Sequence, residues 1–201
     1  MEFRMLLLSI AVFVMITRPS GVSSRTKLRG SGLQPRRYKV TKPFNPRGSC
    51  DGNVAPTHKR LVLLWSKLRF HLTVLSNETL HGVNDTYCQP ARRCLFELQS
   101  CGTSLIRIKH VKTGVYVAIN KAGKVYTTRK SHKLDTMFVQ ELLPNNFVVF
   151  WSERTYKKMK RTRYLALKKN GAIKNASKTS SKHKSAHFMV MYCTQATTPK
   201  C

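Results

Sequence analysis

Residues 60–193 consist of short apolar runs separated by turn residues. Many of these runs alternate between apolar and polar positions, as Ile106 and Ile108 do on either side of Arg107. Strands show this period of two, whereas an amphipathic helix repeats its apolar residues every three to four positions. Since no helical stripe is sustained over this region, the pattern predicts an all-β domain.

Three of the runs align with one another over 11 positions without a gap. They read LTVLSNETLHG from Leu72, VAINKAGKVYT from Val117 and LALKKNGAIKN from Leu165. In each segment a turn follows the first apolar residues. The turn lies close to Asn77 in the first segment, at Gly123 in the second and at Gly171 in the third, and all three residues tolerate a left-handed backbone. The interval between segments is too long for one hairpin and favours a four-strand unit repeated three times.

The N-terminus has the three-part pattern of a secretory signal peptide. Arg4 precedes an apolar run that ends at Ile16, and a region of small residues follows up to Ser24. About a dozen apolar residues are too few to cross a bilayer, which needs about 20, and no later run is longer. A buried N-terminal helix is the alternative. The prediction divides the chain into a signal peptide (1–24), a flexible basic arm (25–58), the β domain (59–193) and a C-terminal tail (194–201).

Export would place the cysteines in an oxidising compartment, where six of them can pair in 15 ways. They are Cys50, Cys88, Cys94, Cys101, Cys193 and Cys201. Cys88 with Cys94 could close a loop, and Cys193 with Cys201 could tether the tail, but the sequence does not choose between pairings. The spacings do not resemble zinc ligands, so no metal site is expected. The candidate N-glycosylation sites are Asn77, Asn84 and Asn175.

The charge balance points to a polyanionic partner. The chain has 37 Lys+Arg against 8 Asp+Glu, a formal charge of +29. Positive charges that repel one another destabilise the compact chain, and a polyanion would relieve this repulsion. The candidate partners are nucleic acid, an anionic membrane and a sulfated polysaccharide. No acidic residue follows Glu153, and residues 167–184 hold six lysines and a histidine on a segment that reads as a hairpin.

The ordered segments FHLTVLSNETLHG, VYVAINKAGKVY, FVQELLPNNF, RYLALKKNGAIKNASKT and SAHFMVM resemble the fibroblast growth factors, from about Arg60 to Met191. The resemblance implies a β-trefoil: twelve strands, six forming a barrel and six capping it, with pseudo-threefold symmetry. It also implies a secreted growth factor that binds heparan sulfate proteoglycan as a co-ligand, activates a fibroblast growth factor receptor-type tyrosine kinase and uses no cofactor.

The resemblance places the principal heparan sulfate site in the last repeat. Carried over by position, its basic residues are Lys168, Lys169, Lys174, Lys178 and Lys184, and Lys67 stands where the family often has an asparagine that helps the same site. Lysines that displace counterions from a linear polyanion suit this ligand. Base-stacking aromatics and an arginine fork are not prominent, which disfavours sequence-specific recognition of nucleic acid. A glycan on Asn175 would hinder the same site.

A second, less charged surface for the receptor is implied at Leu64, Gln140, Asn145, Phe147, Met189 and Met191. Apolar anchors with a few polar groups suit an interface hot spot, although Met and Phe side chains also fit core packing. The family usually has glutamate at Gln140, tyrosine at Leu64 and Phe147, cysteine at Thr136, and often asparagine at Lys67. These departures indicate a divergent member whose choice of receptor is open.

Three other classes of protein compete with this interpretation. A secreted ribonuclease would need converging histidines, but the seven histidines form no recognisable constellation, and no paired acids or nucleophile motif suggest another enzyme. A trefoil lectin would repeat its tryptophans, whereas Trp65 and Trp151 do not align in the repeats. A secreted antimicrobial or glycan-binding trefoil protein without receptor signalling rests on charge alone.

Overall fold

The computed structural model describes residues 56–89, 91–102, 104–153, 162–194 and 200–201. The predicted signal peptide (1–24) and nearly all of the predicted arm (25–58) lie outside these residues, as does most of the tail (194–201). Those three assignments stay predictions. Within the described ranges, no helix has both the length and the apolar character needed to cross a membrane.

The described residues form ten strands, which confirms the predicted all-β class. The strands are β1 (Lys59–Ser66), β2 (Phe70–Val74), β3 (Leu80–Val83), β4 (Leu95–Gly102), β5 (Leu105–His110), β6 (Tyr116–Ile119), β7 (Val125–Thr128), β8 (Phe138–Leu142), β9 (Val148–Ser152) and β10 (Phe188–Tyr192). Short 3₁₀ helices connect them at Thr86–Cys88, Ala91–Arg93, Leu134–Thr136, Ala176–Lys178 and Lys184–Ala186.

Six of the strands close into a barrel. β1 pairs with β4 and β10, β5 pairs with β4 and β8, and β9 pairs with β8 and β10, all antiparallel. Closure leaves these six strands without a free edge. The barrel interior is filled by the fully buried rings of Phe96, Phe138, Phe150 and Phe188. Burial of each ring stabilises the fold by roughly 2 kcal/mol.

The three aligned segments form three hairpins with the same turn. β2 pairs with β3, β6 pairs with β7, and the third hairpin is held by an isolated bridge between Leu167 and Ile173. The residue at the left-handed position of each tip has a positive φ: 59° at Glu78, 80° at Gly123 and 79° at Gly171. The internal repeat predicted from the sequence is therefore present in the structure.

The hairpin tips are hydrogen-bonded to one another in a ring. The carbonyl of each left-handed tip residue accepts a hydrogen bond from a group in or just after another hairpin. Glu78 accepts from Thr127 Oγ1 (2.6 Å), Gly123 from the Ala176 N–H (2.8 Å) and Gly171 from the Gly82 N–H (2.7 Å). This pseudo-threefold ring and the six-stranded barrel are consistent with the β-trefoil implied by the resemblance. Twelve strands are not confirmed, because the third hairpin makes isolated bridges instead of a ladder.

Two disulfides join cysteines that are close together in the sequence. Cys88 is bonded to Cys94, and Cys193 to Cys201, so both pairings that the sequence left open are formed. Cys101 is disulfide-bonded as well. A buried histidine holds the loop between Cys88 and Cys94 to the rest of the protein: the carbonyl of Arg93 in this loop accepts a hydrogen bond from His110 Nε2 at 3.0 Å. A carbonyl only accepts, so Nε2 carries the proton of this buried imidazole.

Burial of His110 makes stability depend on pH. Desolvation lowers the pKa of His110, the hydrogen bond to the Arg93 carbonyl raises it by less than that, and Lys112 lowers it by a still smaller amount. Below about pH 6.5 the unfolded chain therefore binds a proton that the folded chain resists, and the free energy of unfolding falls with falling pH. Urea unfolding should show a larger loss from pH 7.5 to pH 5 for the native chain than for His110→Gln. Equal losses would contradict this prediction.

Candidate functional site

The lysines predicted for the heparan sulfate site are carried by hydrogen-bonded turns. Lys168 and Lys169 are exposed at the tip of the third hairpin, and Lys178 and Lys184 are exposed at the two 3₁₀ helices that follow. The half-buried Lys174 donates its backbone N–H to Ala166 at 2.9 Å. The segment is folded, so its charges are not those of a free tail.

The structure also connects Lys67 to this segment. The Lys67 N–H donates to the carbonyl of His187 at 2.9 Å, and the His187 N–H donates to the carbonyl of Lys184 at 3.2 Å. Lys67 thus joins the 3₁₀ helix that Lys184 begins. We call the set Lys67, Lys168, Lys169, Lys174, Lys178 and Lys184 the lysine surface. The contact between His71 Nε2 and Asp85 Oδ1 (2.8 Å) and the ion pair between Arg129 and Glu78 involve residues outside it.

A hydroxyl-rich cleft borders the lysine surface, and the sequence analysis did not predict it. The cleft has a volume of about 550 Å³ and is lined by Thr162, Tyr164, Ser177, Lys178, Thr179, Ser180 and His183. The Thr179 hydroxyl is fixed by the backbone of Tyr164, whose N–H donates to it at 3.0 Å. Hydroxyl and ammonium donors around one cleft can bind an oxygen-rich anion. The run of Ser and Thr between the lysines was the signal available in the sequence.

The residues predicted to contact a receptor fall into different environments. Leu64 is completely buried in the barrel core, with 0% exposure, so its side chain cannot contact a partner on this surface. That assignment is corrected: the apolar residue that replaces the family's tyrosine packs inward. Met191 is half-buried against the Cys88–Cys94 disulfide. Met189 is 43% exposed and offers apolar surface.

Phe147, Asn145 and Gln140 lie on β8 and at the β8–β9 turn. The Phe147 ring packs against His187, with 5.9 Å between ring centres, and Lys67 Nζ lies 4.7 Å from its centre. This cation–π contact joins the predicted receptor residues to the lysine surface. Asn145 is exposed and accepts from the Phe147 N–H at 3.2 Å.

Gln140 lines a separate cleft of about 330 Å³ together with Arg60 and Tyr192. The Arg60 guanidinium lies 5.5 Å from the centre of the Tyr192 ring, and this ring is 56% exposed. Sequence reasoning did not select Tyr192, although it directly follows the HFMVM segment. Leu142, 68% exposed beside the LLPNN turn, was missed in the same way.

All three candidate glycosylation asparagines are exposed. Asn77 and Asn175 form the same local turn, in which Oδ1 accepts from both the N–H and the hydroxyl of the residue two positions later. Asn84 Oδ1 instead accepts from the Tyr87 N–H at 3.1 Å. Glycosylation at these positions stays a prediction.

The closed barrel, the ring of hairpin tips and the lysine surface define a class of basic β-barrel proteins with an internal threefold repeat. The family model described as fibroblast growth factor matches residues 60–189. The chain belongs to the fibroblast growth factor family. Members of this family are signalling ligands, which supports a growth factor function and confirms the expectation that the chain is not an enzyme.

Curated relatives agree with this assignment. The chain is 31% identical to fibroblast growth factor 4 of Gallus gallus over 141 residues, 69% of this chain and 68% of the relative. It is 32% identical to fibroblast growth factor 4A of Xenopus laevis over 120 residues, 60% of this chain and 59% of the relative. Fibroblast growth factor 10 of Mus musculus is 26% identical over 128 residues, 64% of this chain and 59% of the relative. The chain thus spans less than two thirds of the second and third relatives.

Proposed function

We propose that the protein is a secreted growth factor that binds heparan sulfate through the lysine surface and activates a receptor tyrosine kinase of the fibroblast growth factor receptor type. The observation that carries the proposal is the arrangement of the lysine surface on hydrogen-bonded turns, with Lys67 joined to it through His187. The signal peptide pattern and the disulfides support export. In the same proposal, the third hairpin supplies the tenth and eleventh of twelve trefoil strands, and Phe188–Tyr192 is the twelfth.

Binding of a sulfated polysaccharide follows from the physics of this surface. Each ammonium group that contacts a sulfate releases condensed counterions, an entropy gain that decreases steeply with salt. Because the backbone already holds the lysines, less conformational entropy is lost on binding than for a free tail. The Ser177 and Thr179 hydroxyls already donate within the protein, so the cleft hydroxyls that add directed hydrogen bonds to sulfate oxygens are those of Thr162, Tyr164 and Ser180. Lysine alone supplies only a mobile point charge.

Receptor binding is assigned to the less charged residues at the surface: Gln140, Asn145, Phe147, Met189 and Met191. Leu64 is left out because it is buried. Phe147 contacts Lys67, so the proposed receptor and polysaccharide surfaces meet there. A polysaccharide bound to the lysine surface could therefore touch the receptor as well and hold the complex together.

Met189 gives the cleanest test of the receptor surface. Met189→Ala removes an exposed apolar side chain, and we expect receptor phosphorylation to need about five- to tenfold more protein, as for a moderate hot-spot residue. Heparin elution should not change, because Met189 is not part of the lysine surface. Dose–response curves of receptor phosphorylation, measured beside heparin chromatography, check both statements. An unchanged dose–response would remove Met189 from the interface.

The whole proposal is tested with the secreted full chain on cells that carry one defined receptor at a time. We expect receptor tyrosine phosphorylation that is lost when the cells lack heparan sulfate and restored by added heparin. Retention on heparin well above physiological salt with no phosphorylation from any receptor would instead show a glycan-binding protein without receptor signalling. A chain that washes off heparin at physiological salt would reject the polysaccharide site.

A further inference from the structure

Asn175 lies within the segment 168–184, which carries five of the six residues of the lysine surface. It directly follows Lys174 and precedes the 3₁₀ helix Ala176–Lys178, so lysines flank it on both sides. Asn175 is exposed, whereas Ala176 is completely buried and fixes the turn to the protein. A group attached to the exposed Asn175 side chain would therefore project from between lysines of this surface.

The orientation of the Asn175 amide is set by its hydrogen bonds. Its oxygen, Oδ1, accepts from the Ser177 N–H at 2.9 Å and from the Ser177 hydroxyl at 2.7 Å. A backbone N–H only donates, so the atom that faces it must be the amide oxygen. Gly123 packs against this side of the amide, because a methyl group added to Gly123 would come within 2.7 Å of Asn175 Oδ1. Since these contacts all use Oδ1, Nδ2 can carry a substituent without breaking any of them.

We infer that Asn175 is an N-glycosylation site whose glycan blocks the lysine surface, so that occupancy of this one residue sets the affinity of the exported protein for sulfated polysaccharide. The inference rests on the proposed function. Asn175 Nδ2 forms a bond to the anomeric carbon of an oligosaccharide carried by a polyprenyl diphosphate. The bond from that carbon to the diphosphate breaks, the lipid diphosphate leaves, and the nitrogen gives one proton to water.

The chain contains its own control for this effect. Asn77 is also exposed. It has the same amide geometry, because its Oδ1 accepts from the N–H and the hydroxyl of Thr79 at 3.1 and 2.6 Å. It lies at the tip of the first hairpin beside Glu78, which pairs with Arg129. A glycan on Asn77 would add similar bulk outside the lysine surface. Of these two glycans, the one on Asn175 alone should therefore affect polyanion binding.

The experiment uses the full chain secreted from mammalian cells, with site occupancy read from peptide masses and affinity from heparin chromatography. Chain carrying the Asn175 glycan should bind about tenfold more weakly than bare chain, because several lysine contacts are lost together. Ser177→Ala destroys the sequon and should leave only the tight form. Ser177→Thr keeps both the sequon and the hydroxyl and should retain both forms, and Asn77→Gln should leave elution unchanged.

Two outcomes would overturn the inference: Asn175 bare in every fraction, or glycosylated and bare chain eluting at the same salt. Glycan-free chain made in bacteria separates this inference from the proposed function. If that chain is not retained on heparin, the polysaccharide function itself fails and the blocking role falls with it. The peptide masses still decide whether Asn175 is modified.

Discussion

Replacing Gly171 by alanine is expected to cost at least about 3 kcal/mol of folding stability, because two penalties combine at this hairpin tip. The first is the left-handed backbone, with φ at 79°. The second is steric, since a methyl group on Gly171 would overlap the carbonyl oxygen of Gly82 and come within 2.9 Å of the His81 ring. The strands would have to separate, which stretches the hydrogen bond from the Gly82 N–H to the Gly171 carbonyl, 2.7 Å in the native chain.

Gly114→Ala is the matched control for this prediction. Gly114 has a similar φ of 73°, but a methyl group there would meet nothing within 4 Å. It should therefore cost only about 1 kcal/mol, the backbone term alone. Chemical denaturation measures the free energy of unfolding of both variants. The difference between their two losses is the part that comes from the close approach of the first and third hairpins. Equal losses of stability would show that the ring of hairpin tips contributes nothing at this point.

The hairpins were predictable from sequence because both signals that define them are local. Alternating apolar residues fix which side chains face inward, and glycines mark two of the three tips, Gly123 and Gly171. The first tip was less accurately predicted. Its left-handed residue is Glu78, with φ at 59°, although the neighbouring Asn77 tolerates that conformation better. The Asn77 side chain is used instead to accept hydrogen bonds from Thr79.

The third hairpin shows where local pattern is insufficient. Its sequence aligns with the other two hairpins, yet it forms one bridge, Leu167–Ile173, instead of a ladder. Some of its backbone groups bond within the hairpin, as the Lys168 N–H does to Ala172 at 2.7 Å, and others bond to distant parts of the protein. The Leu167 N–H donates to Ser185 at 3.0 Å, and the Leu165 N–H donates to Phe150 at 2.8 Å. These partners are distant in sequence. The choice between a ladder and such contacts is made by tertiary packing, which periodicity does not report.

The candidate site was predictable in its charge and less so in its geometry. A run of lysines without carboxylates marks a positively charged surface wherever the chain folds. The burial of Leu64 was not predictable, because an apolar strand residue fits an interface or a core equally well. The contact of Lys67 with Phe147 joins residues far apart in the chain, and no short-range pattern encodes it.

Charge reversal in the lysine surface is expected to have the largest effect on binding. Replacing Lys174, Lys178 and Lys184 by glutamate removes three counterion-releasing contacts and adds repulsion. We expect the affinity for heparin to fall on the order of 100-fold near physiological salt, and the slope of log affinity against log salt to decrease by about two to three. Lys178 and Lys184 are exposed and Lys174 is half-buried, so the free energy of unfolding should change by only about 1 kcal/mol or less.

The control for position is a second triple variant, Lys59→Glu with Lys112→Glu and Lys130→Glu, whose native lysines are exposed and are not part of the lysine surface. Both variants lower the formal charge of the chain equally, so an effect of net charge alone would weaken heparin binding to the same extent. A localised site predicts a much larger loss for the first variant. It also predicts weaker receptor phosphorylation for that variant alone, because polysaccharide that is not held by the lysine surface cannot reach the contact of Lys67 with Phe147. Equal elution of the two variants would mean that the +29 charge acts as a diffuse field and that the third hairpin forms no specific site.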